Sequence, residues 1–153
     1  MAARYFAYGS NMDARILREW CPAARVVGIA RLASYRLDFR RRSIRWQAGV
    51  ADLVATPDED VWGVVYELPE RALVALDEKE GVGIGAYERV TVSVELSSAY
   101  VTEAVTYAVV EKTPEPVAPS PAYAEMLLRA AADAGLPVAY RDRLAAHISF
   151  RRA

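Results

Sequence analysis

The sequence predicts an α+β domain, a mostly antiparallel sheet curled around a core with a few flanking helices. Three observations predict it. Apolar and polar residues alternate through several short stretches, most cleanly from Arg89 to Leu96, which is the period of half-buried strands. Those stretches do not alternate regularly with helical ones, so a doubly wound parallel sheet is not expected. The chain of 153 residues carries no repeat, low-complexity tract or linker. That length suits one domain, residues 1–153, with a real core.

Taken in order, Tyr5-Phe6-Ala7 reads as a short buried strand, followed by a turn at Tyr8-Gly9-Ser10-Asn11. Ser10, Asn11 and Asp13 each offer a capping oxygen to a helix running to about Trp20, which Cys21-Pro22 stops. A strand is expected across Arg25 to Phe39, where Tyr35, Leu37 and Phe39 alternate with Arg36, Asp38 and Arg40. Arg40 to Gln47 then reads as a basic loop. Val50 to Thr56 and Val61 to Glu67 are two strands, with Pro57-Asp58-Glu59-Asp60 as a hairpin-type connection. Pro69 starts a helix through Leu73 and Leu76 to Glu80, and Gly81 suits its C-terminal cap. Val90, Val92, Val94 and Leu96 face inward along the next strand, and Val105, Tyr107 and Val109 mark its partner. Pro114, Pro116, Pro119 and Pro121 break the chain. Ser120-Pro121 opens a helix ending near Gly135, and a last helix follows Pro137.

Composition narrows the chemistry. Charged residues make up 25% and the formal net charge is -1, so no global field favours nucleic acid or a membrane surface. No apolar run reaches the eighteen or so residues of a membrane span. The opening residues lead straight into a strand, so no signal peptide is expected. Cys21 is the one cysteine and His147 the one histidine, which rules out an intrachain disulfide and the usual zinc ligand sets. A cytoplasmic, reducing location is the simplest expectation, with no cofactor and no metal. An enzyme built from this chain would work with carboxylates, hydroxyls and backbone amides.

Four segments could carry such chemistry. The Tyr8 to Asn11 turn offers free N–H groups to negative charge, although on local features alone Ser10 or Asn11 as a mere helix cap is the plainer reading. Leu76-Asp77-Glu78-Lys79-Glu80-Gly81 puts acids at a helix C-terminus, where the dipole disfavours them. A solvated face is the plainer reading there, but Glu80 could turn into a cleft. Gly81-Val82-Gly83-Ile84-Gly85-Ala86 matches a dinucleotide fingerprint formally, yet it follows a helix and opens a strand, the reverse of that motif's setting. Arg36, Arg40, Arg41, Arg42 and Arg45 are interleaved with Tyr35, Phe39 and Trp46, a pattern that single-stranded nucleic-acid binders share with solvated loops beside acidic ligands. His147 and Cys21 read as structural.

Tyr5-Phe6-Ala7-Tyr8-Gly9-Ser10-Asn11-Met12, Val61-Trp62-Gly63-Val64-Val65-Tyr66-Glu67-Leu68 and Leu76-Asp77-Glu78-Lys79-Glu80-Gly81-Val82 together resemble the γ-glutamylcyclotransferase family. So do Ala118-Pro119-Ser120-Pro121-Ala122-Tyr123 and Gly135-Leu136-Pro137-Val138-Ala139-Tyr140, all in the family's order. The resemblance implies a small barrel-like fold, a small-molecule γ-glutamyl substrate and release of 5-oxoproline. It implies Glu80 as the acid/base residue and a substrate loop of Ala7, Tyr8, Gly9, Ser10 and Asn11, with Tyr87, Tyr107 and Tyr123 lining the pocket. Asn11 is similar to the broader cyclotransferases rather than to the glutathione-specific ones, which usually carry leucine there. A homodimer is compatible with the resemblance; no nucleic-acid or membrane partner is expected.

In such a reaction the substrate's own α-amine attacks its γ-carbonyl, so no protein nucleophile or metal is required. A glutamate at its ordinary pKa of about 4.3 is a weak base at neutral pH, so Glu80 is expected in a desolvating pocket that raises it. One of Arg40, Arg41, Arg42 or Arg45 is expected to pair with a substrate carboxylate. A same-fold binding module without catalysis, or a nucleic-acid binder using the Arg40 to Arg45 segment, is the alternative.

Overall fold

The computed structural model describes residues 1–153. Five strands, β1 (Ala2–Ala7), β2 (Arg25–Ser43), β3 (Ala48–Pro69), β4 (Tyr87–Leu96) and β5 (Val101–Val109), close into a barrel in the order β1-β3-β2-β4-β5. Four helices, α1 (Ala14–Trp20), α2 (Leu73–Lys79), α3 (Pro121–Asp133) and α4 (Val138–Arg152), lie outside it. Every neighbouring pair is antiparallel except β1 with β5, which meet in parallel at Tyr5↔Val105. That last pairing matters because closure leaves no free sheet edge. Phe6, Phe39, Val61, Val65, Tyr66 and Val94 are fully or almost fully buried in the core.

Two expectations change. The basic segment is not a loop: β2 runs on to Ser43, and only Ile44–Gln47 forms the turn into β3. The Pro57–Asp60 segment is not a hairpin. Both halves of β3 pair with the same strand, β2, and the register jumps from Ala33↔Asp60 to Tyr35↔Ala55. Residues 56–59 therefore bulge opposite Ser34, with Ser34 at φ 66° and Asp58 at φ 65°. Pro57 has no N–H to give to a ladder, which suits a bulge as well as a turn. Alternation alone does not say which strand is the partner.

Capping follows local chemistry. The side chain of Asp13, not of Ser10 or Asn11, accepts from the Arg15 N–H and starts α1. Ser120 caps α3 through the Tyr123 N–H at 3.1 Å, with Pro121 in the first turn. Gly135 takes φ 78° after α3, a conformation that glycine adopts without a Cβ penalty. The helix α4 is fixed by a buried charge: Asp38 on β2 is fully buried, and Arg151 donates to both of its oxygens at 3.0 Å. His147 Nε2 lies 3.0 Å from the same carboxylate, and its ring stacks on Phe39. No helix is long and apolar enough to cross a membrane.

Candidate active site

The strand β1 delivers the chain to the barrel mouth, where Tyr8 and Gly9 lead into a single 3₁₀ turn, Ser10–Met12. That turn closes by the Met12 N–H donating to the Gly9 carbonyl at 3.0 Å and the Asp13 N–H to the Ser10 carbonyl at 3.1 Å. The N–H groups of Gly9, Ser10 and Asn11 precede the first closed ring and have no partner inside the turn. A Cβ on Gly9 would stand 3.7 Å from the Ala51 Cβ and 3.9 Å from the Tyr123 hydroxyl, so the glycine faces the same space as those two residues.

Glu80 enters that space from the other side. Leu73 and Leu76 bury one face of α2, the Glu80 N–H continues the helix onto Leu76 O at 2.9 Å, and Gly81 at φ 67° ends it. The left-handed glycine stops the helix at the point where Glu80 turns toward the mouth. Asn11, itself buried, donates its amide to Glu80 Oε1 at 3.3 Å and to the Tyr5 hydroxyl at 2.9 Å. Lys79 Nζ donates to Asn11 Oδ1. One asparagine thus joins a cation, a carboxylate and a phenol.

The electrostatics follow from burial. Desolvation pushes the Glu80 carboxyl above its usual range, while the Lys79 charge and the Asn11 amide pull it back only in part. Burial lowers the Lys79 ammonium, with the Glu80 charge opposing. The Tyr5, Tyr8 and Tyr87 phenols are pushed well above their usual value, again chiefly by burial. At neutral pH they are neutral hydroxyls.

Those tyrosines build the walls. Tyr123 accepts from the Ala51 N–H at 3.0 Å and Tyr87 donates to the Ala51 carbonyl at 2.8 Å, pinning β3 between α3 and β4. Tyr8 donates to the Tyr107 carbonyl at 2.6 Å. The Tyr107 hydroxyl itself turns to Asp77 at 2.7 Å, where Arg89 also binds. Tyr107 therefore offers the cavity its ring, packed edge-on against Tyr5.

Tyr5, Tyr8, Gly9, Ser10, Asn11, Ala51, Glu80, Tyr87, Tyr107 and Tyr123 line one pocket with about 350 Å³ of empty space, part of it open to solvent. Glu80, the Tyr8 to Asn11 turn and the three expected wall tyrosines are brought together there; Ala7 is not, being fully buried behind the wall with its carbonyl against Gly63, and no arginine lines this pocket. Tyr5, Ala51 and Lys79 were not expected. Alternation along β1 puts Tyr5 two residues before Ala7 on one face, a signal that was available; Ala51 acts through its backbone and leaves no signal. The arginines separate. Arg40 donates to the Thr113 carbonyl at 3.0 and 2.7 Å, and Arg36 to Thr56 Oγ1 and Asp38. Both are engaged in holding the fold. The Gly81–Ala86 segment is a turn with a short 3₁₀ piece at Val82–Ile84, leading into β4.

Comparison with known proteins adds an independent line. The AIG2-like family model matches residues 60–144. The γ-glutamylcyclotransferase of Mus musculus is 34% identical over 146 residues, which is 93% of this chain and 77% of that protein. The γ-glutamylcyclotransferase of Homo sapiens matches at 34% over the same shares. A solved structure of a γ-glutamyl cyclotransferase superposes with a TM-score of 0.89 at 32% identity, covering 94% of this chain and 86% of its own.

Proposed function

This chain belongs to the AIG2-like, γ-glutamylcyclotransferase family, and on that premise we propose that it converts a γ-glutamyl amide into 5-oxoproline and a free amine. The observation that carries the reading is one carboxyl group, Glu80, raised by burial and sharing a tyrosine-walled pocket with the unpaired amides of the Gly9 turn. The pocket contains no serine–histidine or cysteine–histidine pair, and the chemistry needs none.

Glu80 as carboxylate takes a proton from the substrate's α-ammonium. The freed amine attacks the γ-carbonyl carbon within the same molecule, closing a five-membered ring. Intramolecular attack in a held geometry is worth effective molarities of about 10⁵–10⁸ M, so the protein's share is to fold the substrate and manage protons. The turn N–H groups receive negative charge, either the developing oxyanion or the substrate's α-carboxylate. Protonated Glu80 then gives its proton to the leaving nitrogen and the carbon–nitrogen bond breaks. Glu80 next removes the second proton from the ring nitrogen and passes it to the departing amine, which leaves as an ammonium. One carboxyl group, used twice, balances the reaction.

Asn11 holds Glu80, and the neutral tyrosine wall limits the access of water, which would otherwise release glutamate by hydrolysis. The reading puts the enzyme in the cytoplasm, in keeping with a single cysteine, Cys21, that is buried and free. The test is Glu80→Gln, which keeps shape and amide hydrogen bonding but cannot shuttle a proton. Turnover of γ-glutamyl amides, scored as 5-oxoproline, is expected to fall about 10²–10⁴-fold. Near-normal turnover in Glu80→Gln, or free glutamate as the product of the native protein, overturns the proposal.

A further inference from the structure

The Glu80 pocket opens sideways into a larger basin of about 1000 Å³ of empty space, and the two share Ser10, Glu80, Tyr87 and Tyr123. The basin is walled by the β2–β3 turn on one side and the Gly81–Ile84 turn on the other. It lies beside Glu80, the carboxyl group that the proposed reaction uses to protonate the leaving nitrogen.

Its chemistry is lopsided. Arg41, Arg45 and Lys79 line it, and Glu80 is the one acid that does. Glu80 is hydrogen-bonded to Asn11. Arg41 and Arg45 enter none of the ion pairs of the molecule. Arg41 is half-buried, and its charge acts on the Tyr87 hydroxyl as that of Arg45 acts on Lys79. Two guanidinium groups without an anionic partner, Arg45 lying 5.8 Å over the Trp46 ring, line one cleft and fit a carboxylate in geometry and charge. Around them Trp20, Ile44, Trp46 and Ile84 supply apolar area, and Ile44 and Ile84 are almost fully exposed, at 91% and 84%. Exposed isoleucines on facing turns of one cleft are apolar area that a ligand can cover.

We propose that this basin is the leaving-group site, and that it selects γ-glutamyl amides of amino acids with a bulky apolar side chain. Arg41 and Arg45 hold the leaving amino acid's carboxylate, and the turn residues cover its side chain. Cationic leaving groups such as polyamines meet three positive charges and are rejected. This rests on the cyclotransferase reading for its chemistry, but the ligand selectivity can be measured without turnover.

The experiment compares γ-glutamyl-phenylalanine with γ-glutamyl-phenylalanine amide, which differs only in lacking the second carboxylate, and with γ-glutamyl-putrescine. The native protein is expected to prefer the acid over the amide by about 10- to 100-fold in kcat/KM, the range of a charge-assisted hydrogen bond, with the putrescine compound poorest. In Arg41→Met and Arg45→Met that ratio falls toward one, and Arg41→Lys restores part of it. A native ratio near one, or a ratio that survives both methionine variants, overturns the proposal. Binding to Glu80→Gln by calorimetry gives the same comparison without catalysis. Should no compound yield 5-oxoproline, the cyclisation reading fails, while the subsite stands on tighter binding of the acid and falls on equal binding.

Discussion

At the scale of single residues, the carboxyl of Glu80 and the ammonium of Lys79 set each other's protonation through Asn11. Burial raises Glu80, and the neighbouring positive charge is the largest influence opposing that rise. In the proposed role of base Glu80 must be ionised, so activity is expected to be lost as pH falls through its raised pKa. Lys79→Met removes the opposing charge and raises Glu80 further. The acid limb of kcat/KM is therefore expected to move to higher pH in Lys79→Met, and a limb that stays put, or moves down, refutes the coupling. Sequence chemistry marked Glu80 only as an acid where a helix dipole does not ask for one, with a solvated face the plainer reading; the family resemblance singled it out. That chemistry gave no hint of Lys79, because a lysine at a helix end is an ordinary sight, and only folding carries Asn11 across 68 positions to meet it. Asn11 itself was ambiguous until the fold resolved it. Asp13 takes the cap, and that frees the asparagine amide to face inward.

Among elements, α4 is tied to the barrel by charge as well as by apolar contact. Asp38 is buried on β2, and although burial alone would raise its carboxyl, hydrogen bonds from His147 and Arg151 hold it well below the usual carboxylate range. Asp38→Asn leaves Arg151 and Arg36 facing an uncharged group; because both side chains reach solvent in part, the loss is expected to be real but below the ~3–5 kcal/mol of breaking a fully buried pair from one side. Urea unfolding is expected to show that loss near neutral pH. A depressed carboxylate contributes stability above its unfolded pKa and loses it as pH falls from there toward the folded value. The gap between the two proteins should accordingly close on acidification below about pH 4, and a gap that is small or independent of pH contradicts the assignment. The strands of this region were readable from alternation, but their partners were not. A proline-bearing acidic segment satisfies a hairpin and a bulge alike, and the choice between them lies in β2, more than twenty residues earlier in the chain.

For the whole molecule, the site's assembly depends on the stretch that returns from β5 to α3. Lys112 anchors its start on the buried Asp52 at 2.8 Å, and Thr113, Val117 and Ala118 hydrogen-bond to Arg40, Phe39 and Gly49. Its far end is the Ser120 cap that sets Tyr123 into the pocket. The prolines made this stretch legible as a break but did not say that it lies flat on the β2–β3 hairpin. Gly49 permits the contact: a Cβ there would stand 1.8 Å from the Val117 carbonyl oxygen and 3.1 Å from the Phe39 Cβ. The first of these is a backbone atom, so it cannot be relieved by a side-chain rotation. Gly49→Val must lift the stretch from the hairpin, and overpacking of this kind costs about 1–3 kcal/mol. Lifting it also withdraws Tyr123, whose hydroxyl accepts from Ala51 and whose ring packs edge-on against Trp46 at 5.2 Å. The variant is thus expected to remain folded near room temperature, to melt several degrees lower and to show a raised KM for γ-glutamyl substrates. Because Glu80 reaches the pocket on α2 and not through this stretch, the acid limb of its pH profile should keep its position. A Gly49→Val protein with native KM and lowered melting temperature would mean that Tyr123 holds the fold without shaping the substrate's berth.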